Sequence, residues 1–193
     1  MAKLYFRYGV MGSSKSAQAL ITKFNYEEQG MRVWLMKPAA DTRYGADKVH
    51  SRIGLEQPAD VINDDMDLYE VFRDREREFY DVIIVDEAQF LQPAHVEQLR
   101  EIVDYYNVPV FCFGLRTDFR TRLFPGSARL FELADSVTEL KTVCTCGGKA
   151  MVNARIDAEG RVVTEGEQFL LGGNESYRPM CYKCWKLKSK SEK

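Results

Sequence analysis

Three groups of residues in this 193-residue chain have types and spacings that could do chemistry. The first is the run Gly9-Val10-Met11-Gly12-Ser13-Ser14-Lys15-Ser16. Consecutive backbone N–H groups in such a loop can line a concavity for an anion. The helix that follows points its positive end at the same place, and a lysine reaches the outer phosphates. Lys15 would make that reach, and Ser16, in the first helical turn, would offer its hydroxyl to Mg²⁺. Ser14 stands where glycine is expected; serine suits the position if the backbone there is right-handed. The competing reading is a serine-rich turn at a helix start, since serine is a favoured N-cap.

The second group is Asp86-Glu87, at the end of the apolar run Val82-Ile83-Ile84-Val85. In a phosphate-loop enzyme the first acid steadies the Mg²⁺ shell and the second takes a proton from the attacking group. As an isolated pair, such acids also serve as helix N-terminal charges. Water as acceptor would make an ATPase and a substrate hydroxyl a kinase. Helicase-like motors carry a similar Asp-Glu-Ala stretch at this strand end.

The third group is Cys144-x-Cys146 with Cys181-x₂-Cys184. Four thiolates in two pairs suit a closed tetrahedral zinc site, structural because no ligand position stays open. Residues two apart bridge poorly as a disulfide, and a redox Cys-x-x-Cys would be expected to open a helix in a thioredoxin-like fold. Cys112, inside Val108-Pro-Val-Phe-Cys-Phe-Gly114, reads as a core residue. His50 and His95 receive no role.

The elements that must hold these groups follow from periodicity. A short strand, Lys3–Tyr8, feeds the loop, and Ala17, Leu20, Ile21 and Phe24 recur at helical spacing after it. Further strands are expected over 31–37, over 81–87 with the two acids at its end, and over 108–115, and further helices over 67–80, 93–107 and 127–135. A strand such as Val82–Val85, apolar without interruption, is expected to be buried on both faces of a parallel sheet. The chain therefore divides into an α/β phosphate-loop unit over 1–141 and a cysteine- and glycine-rich unit over 142–185. Residues 186–193 form a basic tail expected to be disordered. A net charge of −2 and a pI near 5.8 argue against a dedicated nucleic-acid binder. The absence of a signal-like or membrane-length apolar run gives the expectation of a cytoplasmic protein.

Read together, these segments resemble the type II thymidine kinase family. The shared series is the loop Gly9–Ser16, "KPAADTRYG" (37–45), "DEAQF" (86–90), "GLRTDFR" (114–120), the paired cysteines, and "LLGGNESY" (170–177). The resemblance implies a RecA-like core with a mainly parallel sheet, plus a small carboxy-terminal zinc ribbon and lasso. It implies transfer of the ATP γ-phosphate to the 5′-hydroxyl of thymidine with Glu87 as base. ATP would lie on Gly9–Ser16 with Asp86 and Gln89, and Mg²⁺ on Ser16 and, through water, Asp86. Asp41 and Arg43 would stand beside the transferring phosphate, although without the resemblance they read as a solvated loop. Met11, Leu115, Phe119 and Tyr177 would surround the thymine, with Phe169, Gly172 and Gly173 in the lasso. A homotetramer and feedback inhibition by dTTP are further implications. The alternative is a zinc-containing phosphate-loop ATPase or DNA-binding module.

Overall fold

In the computed structural model, residues 1–42, 45, 47–74, 80–168 and 176–190 are described. Six strands form the central sheet: β1 (Leu4–Tyr8), β2 (Val33–Pro38), β5 (Asp60–Ile62), β6 (Val82–Val85), β7 (Val110–Gly114) and β8 (Ser136–Glu139). Their spatial order is β5-β2-β6-β7-β1-β8, and every pairing is parallel. The strand feeding the phosphate loop is thus separated from the acid-bearing strand by β7. The ends of β1, β6 and β7 open onto one crevice, the usual ligand position in a parallel sheet.

Alternation along the strands explains why they read as unbroken apolar runs. Ile83, Val85, Val110 and Cys112 point into a core shared with α2 (Leu68–Asp74), α3 (Pro93–Tyr106) and α4 (Pro125–Leu133). Val82, Ile84, Phe111 and Phe113 point to the other face, where α1 (Lys15–Glu27) lies. Both faces are covered, so every position must be apolar. Cys112 is buried as expected, and burial pushes its thiol up. Val96, Leu99 and Val103 form the buried stripe of α3, with Tyr106 packed against it.

Several elements depart from the sequence reading. On α1 the buried face is Ala17, Ala19 and Leu20, whereas Ile21 and Phe24 are exposed. The helical pattern beyond Asp74, including Phe79, falls outside the described residues. Between β2 and α2 the chain builds a hairpin, β3 (Lys48–His50) against β4 (Glu56–Pro58), before joining the sheet edge as β5. These strands are three residues long with polar sequences, so they carry no period to read. In the carboxy-terminal part, β9 (Val152–Ile156) is flanked by β10 (Val162–Val163) and β11 (Tyr177–Met180) in an antiparallel sheet. Pro179 is accommodated because β11 is an edge strand. Residues 186–190 of the expected tail belong to helix α5 (Tyr182–Lys190), and 191–193 lie outside the described residues. Trp185, buried among Val152, Val162 and Met180, anchors that helix. None of the described helices is long and apolar enough to cross a membrane.

Candidate active site

The phosphate loop turns sharply off β1. A Cβ on Gly9 would stand 2.3 Å from Ser13 Oγ and 2.5 Å from the Leu140 carbonyl, so only glycine fits. Gly12 is at φ +76°, and Ser13 N–H closes the turn on the Val10 carbonyl (3.2 Å). Ser14 is the N-cap of α1 at φ 60°, ψ 28°, with no side-chain capping bond. The right-handed backbone that would have suited serine is therefore not adopted. The left-handed geometry follows from starting α1 immediately after the turn, and a non-glycine residue there stores about 1 kcal/mol of strain. With neither a side-chain cap nor an acidic residue in the first turn, α1 presents its amino end to the crevice. Lys15 lies folded over the loop, Nζ donating to the Val10 carbonyl (2.9 Å) and 3.5 Å from Ser13 Oγ.

The two acids occupy the facing end of β6. Asp86 is 4% exposed; its carboxylate accepts from the Ser16 hydroxyl and the Glu87 backbone, but Oδ1 has no partner. Burial, and then the neighbouring Glu87, push its carboxyl up to about 7. A buried, orphaned carboxylate oxygen beside a serine hydroxyl offers the oxygen donors that Mg²⁺ with its waters takes, while the adjoining helix amino end suits the phosphate rather than the ion. The residues present fit the ion. Glu87 is at φ 51°, left-handed and strained for a glutamate. Gln89 Nε2 donates to Glu87 Oε2 (2.6 Å), while Gln89 Oε1 accepts from Leu115 N–H (2.9 Å). Gln89 is 1% exposed, and both ends of its amide are engaged, one of them on Glu87, which it orients. Leu115 is fixed a second time by Ser127 Oγ donating to its carbonyl (2.6 Å).

A cleft of ≈ 370 Å³ joins these parts: Met11, Gly12 and Ser14–Ala17 on one side, Asp86, Glu87 and Leu115 at the end, and Lys37 and Asp41 in the wall. The remaining wall is the β3–β4 hairpin, Val49 to Ile53, which the sequence reading missed. Its His50 and Arg52 carried no motif, and only the fold brings them to the phosphate loop. His95, by contrast, has a structural place in the capping box of α3, its Nδ1 accepting from Gln92 N–H. Asp41 is 3.0 Å from Lys37 Nζ and buried. Arg43 lies outside the described residues, as do Phe169, Gly172 and Gly173.

Phe119 and Tyr177 come together outside this cleft, on either side of Arg155. The Arg155 guanidinium stacks 3.7 Å from the Phe119 ring centre, and its Nε and Nη2 donate to Tyr177 Oη (3.0 and 2.6 Å). Phe119 is 1% exposed, so in this state no ring face is open to a base. Asn153, on β9, joins the two halves of the chain. Its Oδ1 accepts from Met11 N–H (2.7 Å) and its Nδ2 donates to the Thr117 carbonyl (3.0 Å). Neither Arg155 nor Asn153 was legible in sequence, because each looks like an ordinary polar residue in a half-exposed strand.

The four sulfurs of Cys144, Cys146, Cys181 and Cys184 lie within 4.8 Å of one another. Cys146 Sγ and Cys181 Sγ are 3.6 Å apart, close to the roughly 3.8 Å edge of a ZnS₄ tetrahedron with Zn–S near 2.3 Å. Cys184 N–H donates to Cys181 Sγ (3.4 Å), and hydrogen bonds led by the Cys146 backbone pull the Cys144 thiol down to about 6. Such N–H···S bonds stabilise thiolates, the form that binds metal. The Cys181 side chain, first among its neighbours, pushes Cys184 the other way, up to about 12.

The thymidine kinase family model matches residues 2–185. A thymidine kinase of Legionella pneumophila (strain Lens) is 49% identical over 94% of this chain and 88% of its own. That of Enterobacteria phage T4 is 48% identical over 96% of both chains, and that of Salmonella paratyphi A is 46% identical over 96% and 91%. Among solved structures, the genome packaging NTPase B204 of Sulfolobus turreted icosahedral virus 2 aligns at a TM-score of 0.47 and 16% identity. That alignment spans 76% of this chain and 78% of the other, a likeness too low to decide anything here. With a phosphate loop, a paired-acid strand end and a four-cysteine cluster in one chain, and relatives nearly half identical along almost all of it, the assignment follows: this chain belongs to the thymidine kinase family.

Proposed function

We propose that this chain transfers the γ-phosphoryl group of ATP to the 5′-hydroxyl of thymidine, giving dTMP and ADP, with Glu87 as general base. The observation that carries the reading is the cleft itself. It sets a strained Glu87, oriented by Gln89, opposite the amino end of α1 and Lys15, with Asp86 buried between them. The phosphate chain of ATP would lie along the amides of Gly12–Ser16. Mg²⁺, held by Ser16 and through its water shell by Asp86, would supply charge neutralisation on the phosphoryl oxygens.

Glu87 takes the proton as the 5′-oxygen bonds to the γ-phosphorus and the bond to the ADP oxygen breaks. Because that transition state is loose, most of the acceleration comes from placement and charge rather than from the base. Lys15 exchanges its Val10 carbonyl partner for phosphate oxygen. Arg43, by family resemblance, would stabilise the charge spreading over the γ-oxygens. Met11 and Leu115 line the cleft and are the groups available to the nucleoside; Phe119, Tyr177, Phe169, Gly172 and Gly173 are assigned to the base by family resemblance. Four-thiolate zinc would hold the ends of the 147–180 segment together. Division at 141/142, a homotetramer, dTTP feedback and a cytoplasmic location complete the proposal.

Incubation with γ-labelled ATP, Mg²⁺ and thymidine should put the label into dTMP; label found only in free phosphate would overturn the kinase reading. Glu87→Gln should bind ATP and thymidine as the wild type does and lose turnover by roughly a hundredfold or more. Wild-type-like turnover in that variant would refute the base assignment.

A further inference from the structure

Lys37 is the most buried cation of the described residues, at 2% exposure; it opens the "KPAADTRYG" stretch, yet the proposed chemistry gives it no role. It is the penultimate residue of β2. Its Nζ donates to Asp41 Oδ2 (3.0 Å), the Gly45 carbonyl (3.0 Å) and the Lys48 carbonyl (3.2 Å). An ammonium has three protons. Lys37 therefore has an acceptor for each, and it would have to surrender one of them to touch a phosphate.

The three acceptors are spread over the stretch that leads from β2 to the β3–β4 hairpin. Asp47 is tied down as well, its carbonyl accepting from Ala59 N–H (2.9 Å). Just beyond, Val49 is packed into the core with Ala19 and Leu20 of α1, and His50–Ile53 form the wall facing the phosphate loop. The adjoining part of β2 also indexes the acids: Met36 is in register with Val85, and its carbonyl accepts from Asp86 N–H (3.0 Å). One short piece of strand therefore sets both the acid end of the cleft and the root of the opposite wall.

A buried ion pair is a poor device for stability, because desolvation of both charges offsets their attraction. Its retention inside a cleft wall is better explained by geometry. We propose that Lys37 is a positioning residue for phosphoryl transfer, acting through Asp41 and the hairpin root to hold the 47–53 wall against the phosphate loop. This rests on the reading that the cleft receives ATP.

The test is a cycle of Lys37→Met, Asp41→Asn and the double variant, measured for kcat, KM and urea midpoint. Each single variant should lose kcat by roughly thirty- to a hundredfold, the scale of a small misplacement at a reacting centre. The double should be no worse than the worse single, since both changes undo one knot. The urea midpoint should fall in the singles, which strand a buried charge, and return close to wild type in the double. A double variant that regains turnover along with stability would reduce the pair to charge balance. Losses that multiply would mean the two residues act independently. Either result overturns the proposal. If the wild type transfers no phosphate to thymidine, the kinase reading fails. The positioning role is then read from affinity for a non-hydrolysable ATP analogue: equal loss in all three variants supports it, and recovery in the double refutes it.

Discussion

Asp86→Asn separates what the site needs from what the fold prefers. Folded, the Asp86 carboxyl is held at about 7 by burial and by Glu87; in the unfolded chain it titrates near 3.9. Below pH 4 both states are protonated, and the residue contributes nothing to pH dependence. Between pH 4 and 7 the unfolded chain has released a proton that the folded chain keeps. Stability therefore falls by about 1.4 kcal/mol per pH unit from this group alone. Above pH 7 the cost is complete, on the order of 4 kcal/mol (about three pH units at 1.36 kcal/mol each). Asparagine cannot ionise. In Mg²⁺-free, nucleotide-free buffer, the stability of Asp86→Asn relative to wild type should thus rise by roughly 3 kcal/mol between pH 5 and pH 8. His95, whose pKa burial lowers, has the opposite pH slope, but it is common to both proteins and cancels. Urea unfolding at four pH values reads the difference directly. A relative stability that stays flat across that range would refute the account of Asp86 as a buried, unsatisfied carboxylate. The same variant should lose Mg²⁺-dependent turnover by roughly a hundredfold or more, because the orphaned Oδ1 no longer carries charge.

Two further substitutions probe the loop and the cysteine cluster. Ser14→Gly relieves about 1 kcal/mol of left-handed strain but adds freedom to the unfolded chain, so urea unfolding should show a gain between zero and about 1 kcal/mol. Since the strain is present before ATP arrives, analogue affinity should move less than about threefold; tightening of tenfold or more would mean that serine compromises the loop. Cys181→Ser should abolish near-stoichiometric zinc, lower the thermal midpoint by on the order of 10 °C, and weaken thymidine binding although the thiolate touches no nucleoside. Zinc retained at one per chain, or unchanged nucleoside affinity in the metal-free variant, would contradict that coupling.

The sequence was most legible where burial is two-sided. Val82–Val85 and Val110–Gly114 had to be apolar at every position, and they read as central strands for that reason. The phosphate loop and the Asp86-Glu87 pair were legible because their chemistry tolerates few residue types at fixed spacing. The hairpin at 48–58 was not, since its strands are short, polar and stabilised by tertiary contacts such as Val49 on Leu20. Arg155 and Asn153 escaped for a related reason. Their partners, Phe119 and Tyr177 for one, Met11 and Thr117 for the other, are separated from them by tens of residues. Gln89 is a mixed case. Its closeness to the acids is plain from the chain, but only the fold shows both ends of its amide engaged, by Glu87 and by Leu115.

Strain is distributed in this molecule in a way that bears on function. Four described residues other than glycine have φ in the left-handed region: Ser14, Glu87, Asn107 and Thr121. Asn107 ends α3, and asparagine adopts that geometry readily. The other three stand on the loops after β1, β6 and β7, where phosphate, base and nucleoside are proposed to meet. Each is held by bonds the surrounding fold supplies. Gln18 N–H donates to the Ser14 carbonyl, Gln89 holds Glu87, and Asp118 Oδ1 accepts from Arg120 and Arg122 N–H on either side of Thr121. At about 1–3 kcal/mol each, together with the ionised Asp86, the site stores several kcal/mol of unfavourable free energy before any ligand arrives. The two-faced sheet core offsets that cost. The phosphate loop and the acid end, assembled in this way, need little rearrangement when ATP binds, which is what a reaction limited by positioning and charge requires. Arg155, by contrast, must move off Phe119 before that ring can meet a base.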